Sequence, residues 1–174
     1  MKNEMKQQIS QPIRDFRLPR YHEIPNVGLY LEQTAKYISE FLQPLEEGAL
    51  TVSMISNYVK KHLIASPVKK QYDRDQIAYL FFIAGAKSVL SLDALSNFIQ
   101  VQQHTYPIGV AYDYFCEQFE KLLQYTFELA DTVEIAGDDS TDGKRLLFSC
   151  IVAITQKIYL EKCLAAIAKE QSEN

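Results

Sequence analysis

The side chains with the most suggestive chemistry in this sequence lie between Thr51 and Arg74. Ser53, Ser56 and Asn57 are short hydrogen-bonding residues, and an asparagine amide pairs well with the edge of adenine. Five basic residues and one acid give the stretch a net charge of +4, whereas the whole chain carries −4. A basic island on an acidic protein is typical of a local contact with nucleic acid.

The same stretch contains side chains suited to the DNA backbone. Lysine and arginine would bind phosphates and fix the register, and an aromatic residue would pack or touch the backbone. An alternative for Lys60 and Lys61 is a solvated helix face, because cations at a helix C-terminus also interact well with the helix dipole. The candidate DNA contacts are Ser53, Ser56, Asn57, Lys60, Lys61, Lys69, Lys70, Gln71, Tyr72 and Arg74.

Metal-binding patterns are incomplete. The three histidines, His22, His62 and His104, lie far apart, and none is near a cysteine at zinc-ligand spacing. The segment Asp138–Gly143 resembles the start of a calcium loop, but Ser149 occupies the place of the bidentate glutamate. The sequence therefore predicts no metal site.

Catalytic patterns are also missing, since the chain has no G-x-G-x-x-G, P-loop or G-x-S-x-G motif. The acidic residues Asp113, Glu117 and Glu120 share a helix face, which we interpret as solvated because no histidine accompanies them. We therefore expect no enzyme and no cofactor. The cysteines, which are Cys116, Cys150 and Cys163, are expected to be buried core residues in a reducing compartment.

Hydrophobic periodicity predicts an all-α protein. Thr51 or Ser53 would cap the second helix, Asp73 the third and Ser91 the fourth, and Asn26 is a candidate cap for the first. Between the second and third helices, residues 65–72 suit a tight two-stranded ribbon or an irregular wing. The predicted helices are 28–43, 51–61, 74–88, 91–102, 110–131 and 143–169.

These elements suggest three parts. Residues 1–17 show no clear periodicity and are expected to form a flexible arm. Residues 18–104 would form the module that holds the basic stretch. Residues 105–174 would form a helical hairpin for dimerisation or effector binding. The last helix is apolar on two faces, so it needs two partners: the preceding helix, and either the module or a second protomer.

The order of elements in the module resembles the winged helix-turn-helix of the MerR family of bacterial regulators. That resemblance implies a recognition helix, a basic wing and duplex DNA as ligand. Ser56 and Asn57 replace the family's usual arginine and first aromatic, and His62 replaces a glycine after the recognition helix. The positions that match the family pattern are Tyr58, Leu63, Ile64, Lys70, Tyr72, Asp75, Leu80, Ile83, Leu92, Asp93 and Leu95.

At finer grain, residues 18–100 resemble an uncharacterised family of Gram-positive bacteria, the domain of unknown function 1836. Its likeness implies the same helix-turn-helix but no particular activity. We therefore expect a cytoplasmic, homodimeric transcriptional regulator that binds specific duplex DNA. The sequence does not identify a small-molecule or protein effector. The alternative is a protein-interaction adaptor that keeps the fold without binding DNA. The polar N-terminus and short apolar runs predict neither a secretory signal nor a membrane span.

Overall fold

The computed structural model describes residues 3–46, 48–133 and 141–172. Helices make up most of this part, and two short strands, β1 (Leu29–Tyr30) and β2 (Gln71–Tyr72), pair antiparallel. The predicted all-α class is confirmed. The helices are α1 (Asn3–Ser10), α2 (Leu31–Leu42), α3 (Val52–Lys60), α4 (Arg74–Ala86), α5 (Leu92–Gln103), α6 (Ile108–Thr126) and α7 (Asp142–Ser172), with 3-10 turns at Gln11–Ile13, Tyr21–Glu23 and Gln43–Leu45.

The buried centre of the fold is α4. Ile77, Leu80 and Ile83 are fully buried, and the helix packs against α2, α6 and α7. Its start is fixed as the sequence predicts: the Asp73 carboxylate accepts from the Gln76 amide N–H at 2.9 Å, and the Gln76 side chain accepts from the Asp73 N–H at 2.8 Å. The position of this helix therefore fixes the loop that precedes it.

The predicted C-terminal hairpin is confirmed by α6 and α7, which form the most extensive helix contact. Leu147, Ile151 and Ile154 bury one face of α7, and α4 and α1 supply further neighbours. The first helix of the hairpin is shorter than predicted, because the chain turns at Glu128, where φ is 57°. The Leu129 N–H donates to the Gln124 carbonyl at 2.8 Å and closes this helix end.

The N-terminal region differs from the sequence-based expectation. The sequence predicts a flexible arm for residues 1–17, but α1 packs against α7 and buries Met5 and Ile9. A helix of eight residues gives too short a periodic signal to be recognised with assurance. Asn26 is not a helix cap, because residues 29–30 form β1 and α2 begins only at Leu31.

No helix within residues 3–46, 48–133 and 141–172 combines the length and hydropathy that a transmembrane segment requires.

Candidate nucleic-acid interface

The exposed face of α3 carries the side chains that were expected to read bases. Thr51 caps the helix by accepting from the Met54 N–H at 3.1 Å, and Ile55 and Tyr58 turn into the core. The helical periodicity that turns Ile55 inward predicts the same for Val52, but the Val52 side chain is 37% exposed. The solvent face consists of Ser53, Ser56, Asn57, Lys60 and Lys61, which are all exposed as predicted.

The end of α3 is closed by a left-handed residue. His62 has φ 55°, and the Leu63 N–H donates to the Tyr58 carbonyl at 2.9 Å, as in a Schellman motif. Leu63 and Tyr58 are both buried and complete the apolar contact of that motif. A glycine would adopt this φ without strain, so the histidine lies in a conformation that disfavours its Cβ.

A tight turn projects Lys69 and Lys70 into solvent. The Gln71 N–H donates to the Val68 carbonyl at 2.9 Å, and the central φ angles are 50° and 66°. Two positive φ values are the signature of a type I′ hairpin turn, which normally favours Asn-Gly. Both lysines are exposed, whereas Tyr72 is buried and packs rather than facing solvent.

The strand partner of this turn comes from earlier in the chain. Leu29 pairs with Tyr72 and Tyr30 with Gln71, so β1 holds β2 in place. The sequence predicted a two-stranded ribbon or an irregular wing within residues 65–72, and the structure shows an isolated bridge there, between Val68 and Gln71. The contribution of residues 29–30 was missed because a two-residue strand has no alternating pattern.

Arg74 makes internal bonds. Its Nε donates to the Ile24 carbonyl at 2.9 Å, and its guanidinium lies 5.4 Å from the centre of the Tyr21 ring. The Tyr21 hydroxyl donates to Asp75, and this bond together with burial raises the pKa of Tyr21 to about 12. Arg74 thus attaches the 3-10 turn at Tyr21–Glu23 to the start of α4.

Two arginines of the preceding segment pair with carboxylates. Arg20 forms a bidentate pair with Glu120, with Nη1–Oε1 and Nη2–Oε2 distances of 2.7 Å, and both side chains are largely buried. Arg17 Nη2 lies 2.9 Å from Glu23 Oε2. We call Arg17, Arg20 and Arg74 with the groups they bind the arginine cluster.

The acidic face of α6 is therefore not simply solvated, as the sequence suggested. Glu120 also accepts from the Leu18 N–H at 2.8 Å, and Asp113 accepts from the Tyr21 N–H at 2.7 Å. Both carboxylates anchor the segment that leads into β1. Glu117, the third acid of that face, is exposed.

The lysines of α3 and the turn lie in a different environment. Among the residues that the structure describes, Lys60, Lys61, Lys69 and Lys70 form no ion pair or side-chain hydrogen bond. All four are exposed. We call them the lysine surface. Their charge is therefore available to an anionic partner.

Exposed apolar side chains flank the strands. Val27 is 82% exposed, Val68 is 72% exposed and Tyr30 is 49% exposed. Since Tyr30 pairs with Gln71, and Gln71 also bridges to Val68, Tyr30 and Val68 lie on either side of one strand. These three residues were not predicted as candidate contacts.

Neither metal ligands nor thiols form a second candidate site in the part of the chain that the structure describes. No group of three His, Cys, Asp or Glu side chains there could hold a metal ion. Residues Asp138, Asp139 and Ser140 of the calcium-loop-like segment lie outside the described residues. Cys116 and Cys150 are buried as expected, and burial raises the pKa of each thiol to about 12, whereas Cys163 is only partly buried.

Comparison with known proteins identifies the family over most of this region. Residues 19–115 match the family described as Domain of unknown function (DUF1836). The chain belongs to this family. No curated protein and no solved structure matches the chain. The DUF1836 region contains the lysine surface and extends into α6, so it includes Asp113.

Proposed function

We propose that this DUF1836 protein is a sequence-specific transcriptional regulator that binds duplex DNA through a MerR-like winged helix-turn-helix. The observation that carries the proposal is the lysine surface. Lys60 and Lys61 extend it from α3, Lys69 and Lys70 extend it from the adjoining turn, and none has an ion-pair partner among the described residues. Exposed, unpaired cations on a chain of net charge −4 suit a polyanion.

In this proposal α3 lies in the major groove, which is wide enough for an α-helix. Ser53, Ser56 and Asn57 face solvent on the side opposite the core and can reach base edges. Lys60 and Lys61, at the C-terminal end of the same face, would bind phosphates. Base contacts would give specificity, and phosphate contacts would give affinity and register.

The turn would serve as the wing. Lys69 and Lys70 both hold left-handed backbone angles that cost roughly 1 kcal/mol or more each in a non-glycine residue. Asn-Gly would form the same turn with less strain. A strained turn that displays two cations supports a phosphate contact there. Gln71 is half-buried beside it, while Tyr72 and Arg74 would support the wing from the inside.

A homodimer would match a two-fold DNA site. Leu160, Leu164 and Ile167 follow i, i+4, i+7 spacing on α7, and their exposed fractions are 57%, 57% and 40%. An apolar stripe of this kind is suited to pairing with a second helix. We therefore place the dimer contact on the C-terminal half of α7.

The test is duplex binding by the full chain as a function of salt, after selection of a preferred site from a random pool. Lys69→Ala combined with Lys70→Ala should weaken binding to all sequences alike and reduce the slope of log K against log salt by about 2. Lys121→Ala combined with Lys169→Ala removes the same charge from the exposed parts of α6 and α7 and should leave the slope nearly unchanged. No duplex binding by the wild-type protein at low salt would exclude the proposal.

A second candidate function, a protein-interaction adaptor, is favoured by one observation. Val27, Tyr30 and Val68 expose apolar surface beside the strands, where a protein partner could bury it. Val68→Asp would then abolish capture of a partner, and the lysine substitutions would have little effect. If the protein binds DNA instead, the lysine substitutions should weaken binding of its partner and Val68→Asp should have little effect.

A further inference from the structure

A cleft of about 190 Å³ lies where α5, the start of α6 and the start of α7 meet. Its walls are almost entirely apolar, with Phe98, Tyr114 and Leu147 among them. At its rim, Val101, Val110 and Leu146 are 40%, 57% and 47% exposed. Large aliphatic side chains exposed together around a concavity are typical of a ligand site.

The polar groups of the walls already have partners. Gln102 Nε2 donates to the Tyr106 carbonyl at 2.8 Å, and its Oε1 accepts from the Tyr79 hydroxyl at 2.6 Å. The Thr105 hydroxyl donates to the Gln102 carbonyl at 3.0 Å, and the Tyr106 and Thr141 hydroxyls are 2.9 Å apart. These bonds shape the cleft and leave its interior apolar.

Lys144 is the exception. Among the described residues that line the cleft it alone is charged, and it lies in the first turn of α7. Its Nζ is 5.6 Å from the centre of the Tyr114 ring, and it forms no ion pair with another described residue. An ammonium group at the edge of an apolar cleft can bind the anionic end of a ligand whose body fills the cleft.

We propose that this cleft binds a small carboxylate with a compact apolar body, in the size class of benzoate. A closed apolar cavity of about 150 Å³ in another protein takes up benzene, so the volume here suits one ring. Phe98, Val101 and Leu147 would contact the ring, and Lys144 would bind the carboxylate at the rim. This site is separate from the lysine surface, and its existence does not depend on DNA binding.

The experiment titrates the isotope-labelled full chain with benzoate and, separately, with benzyl alcohol, and derives each dissociation constant from amide chemical shifts. Benzoate should bind at least about tenfold more tightly than the neutral probe, as expected for a charge-assisted contact. Lys144→Met keeps the aliphatic stem. It should abolish the preference for benzoate without weakening the binding of benzyl alcohol. Lys169→Met, a matched change in the last turn of the same helix, should preserve it.

Val110→Trp tests whether the probes bind in the cleft. Val110 is exposed at the rim, so an indole there can cover the cleft without entering the core. Neither benzoate nor benzyl alcohol should then bind. The proposal would be overturned by the absence of saturable shifts with either probe, by equal affinity for benzoate and benzyl alcohol, or by unchanged benzoate binding in Val110→Trp. Shifts that depend on protein concentration and not on probe would also overturn it, because they would show that a second copy covers the cleft.

Discussion

The arginine cluster and the lysine surface are both basic, but their charges are used differently. Arg20 donates from both terminal guanidinium nitrogens to Glu120, and Arg74 donates to the Ile24 carbonyl and lies over the Tyr21 ring. By contrast, the described residues offer Lys60 and Lys70 no ion pair. The planar arginine fork suits fixed, bidentate contacts, whereas lysine is a mobile point charge.

The two regions also differ in backbone strain. Among the described residues, five other than glycine have positive φ, and His62, Lys69 and Lys70 are three of them. The arginine cluster has none of these angles and is closed by hydrogen bonds to its carboxylates and carbonyls. One region therefore stabilises the fold, while the other carries strain and unbalanced charge, which is common where a surface serves binding.

The largest effect on stability should come from the arginine cluster. Arg20→Ala leaves Glu120 without its bidentate partner, although the side chains retain 19% and 16% exposure, so solvent offsets part of the loss. We expect the free energy of unfolding to fall by roughly 2–3 kcal/mol, which is less than the loss caused by breaking a fully buried ion pair. Urea unfolding of both proteins measures this difference.

Lys60→Ala is the matched control on the lysine surface. Because Lys60 is exposed and without an ion pair, its removal should change stability by less than about 0.5 kcal/mol. Similar losses in the two variants would mean that the distinction between the regions is false.

The wing offers a variant in which stability and binding should move in opposite directions. Lys69→Asn combined with Lys70→Gly supplies the residues that a type I′ turn prefers and removes two charges. The free energy of unfolding should rise by about 1–2 kcal/mol. Duplex affinity should fall as far as in Lys69→Ala combined with Lys70→Ala. A more stable protein with unchanged duplex affinity would show that these lysines do not contact DNA.

Sequence reasoning succeeded where the signal is local. The periodic helices α4, α5 and α7, and the caps at Thr51, Asp73 and Ser91, could be predicted because each depends on neighbouring residues. The exposed face of α3 followed from the same periodicity. Lys60 and Lys61 were therefore placed correctly at the surface, and Lys69 and Lys70 were placed there because residues 65–72 were expected to form a wing.

The remaining features depend on distant contacts. Arg20 and Glu120 are 100 residues apart, and no sequence pattern links them. Pairing of β1 with β2 is equally non-local, so Arg74 could not be recognised as an internal contact or Tyr72 as fully packed. The cleft with Lys144 was missed because its walls come from three helices, and apolar periodicity does not distinguish a cleft wall from core.

Apart from the Lys60→Ala control, the smallest expected effect on stability concerns His62, and His104 serves as its control. Both are exposed histidines at helix C-terminal ends, but φ is 55° at His62 and −93° at His104. His62→Gly should raise the free energy of unfolding by about 0.5–1 kcal/mol, because glycine adopts positive φ without strain. His104→Gly should lower it by at least a similar amount, since glycine there adds freedom to the unfolded chain and removes the side-chain hydrogen bond between His104 Nδ1 and the Gln100 carbonyl, at 2.7 Å.

Thermal or urea unfolding gives the sign of both changes, and equal signs would contradict the backbone explanation. Duplex affinity then shows why the strained histidine is present. Unchanged affinity in His62→Gly would restrict the DNA contact to the neighbouring lysines and make the strain incidental. Reduced affinity would mean that the His62 side chain takes part in the DNA contact. That contact would then explain why a strained residue occupies this position.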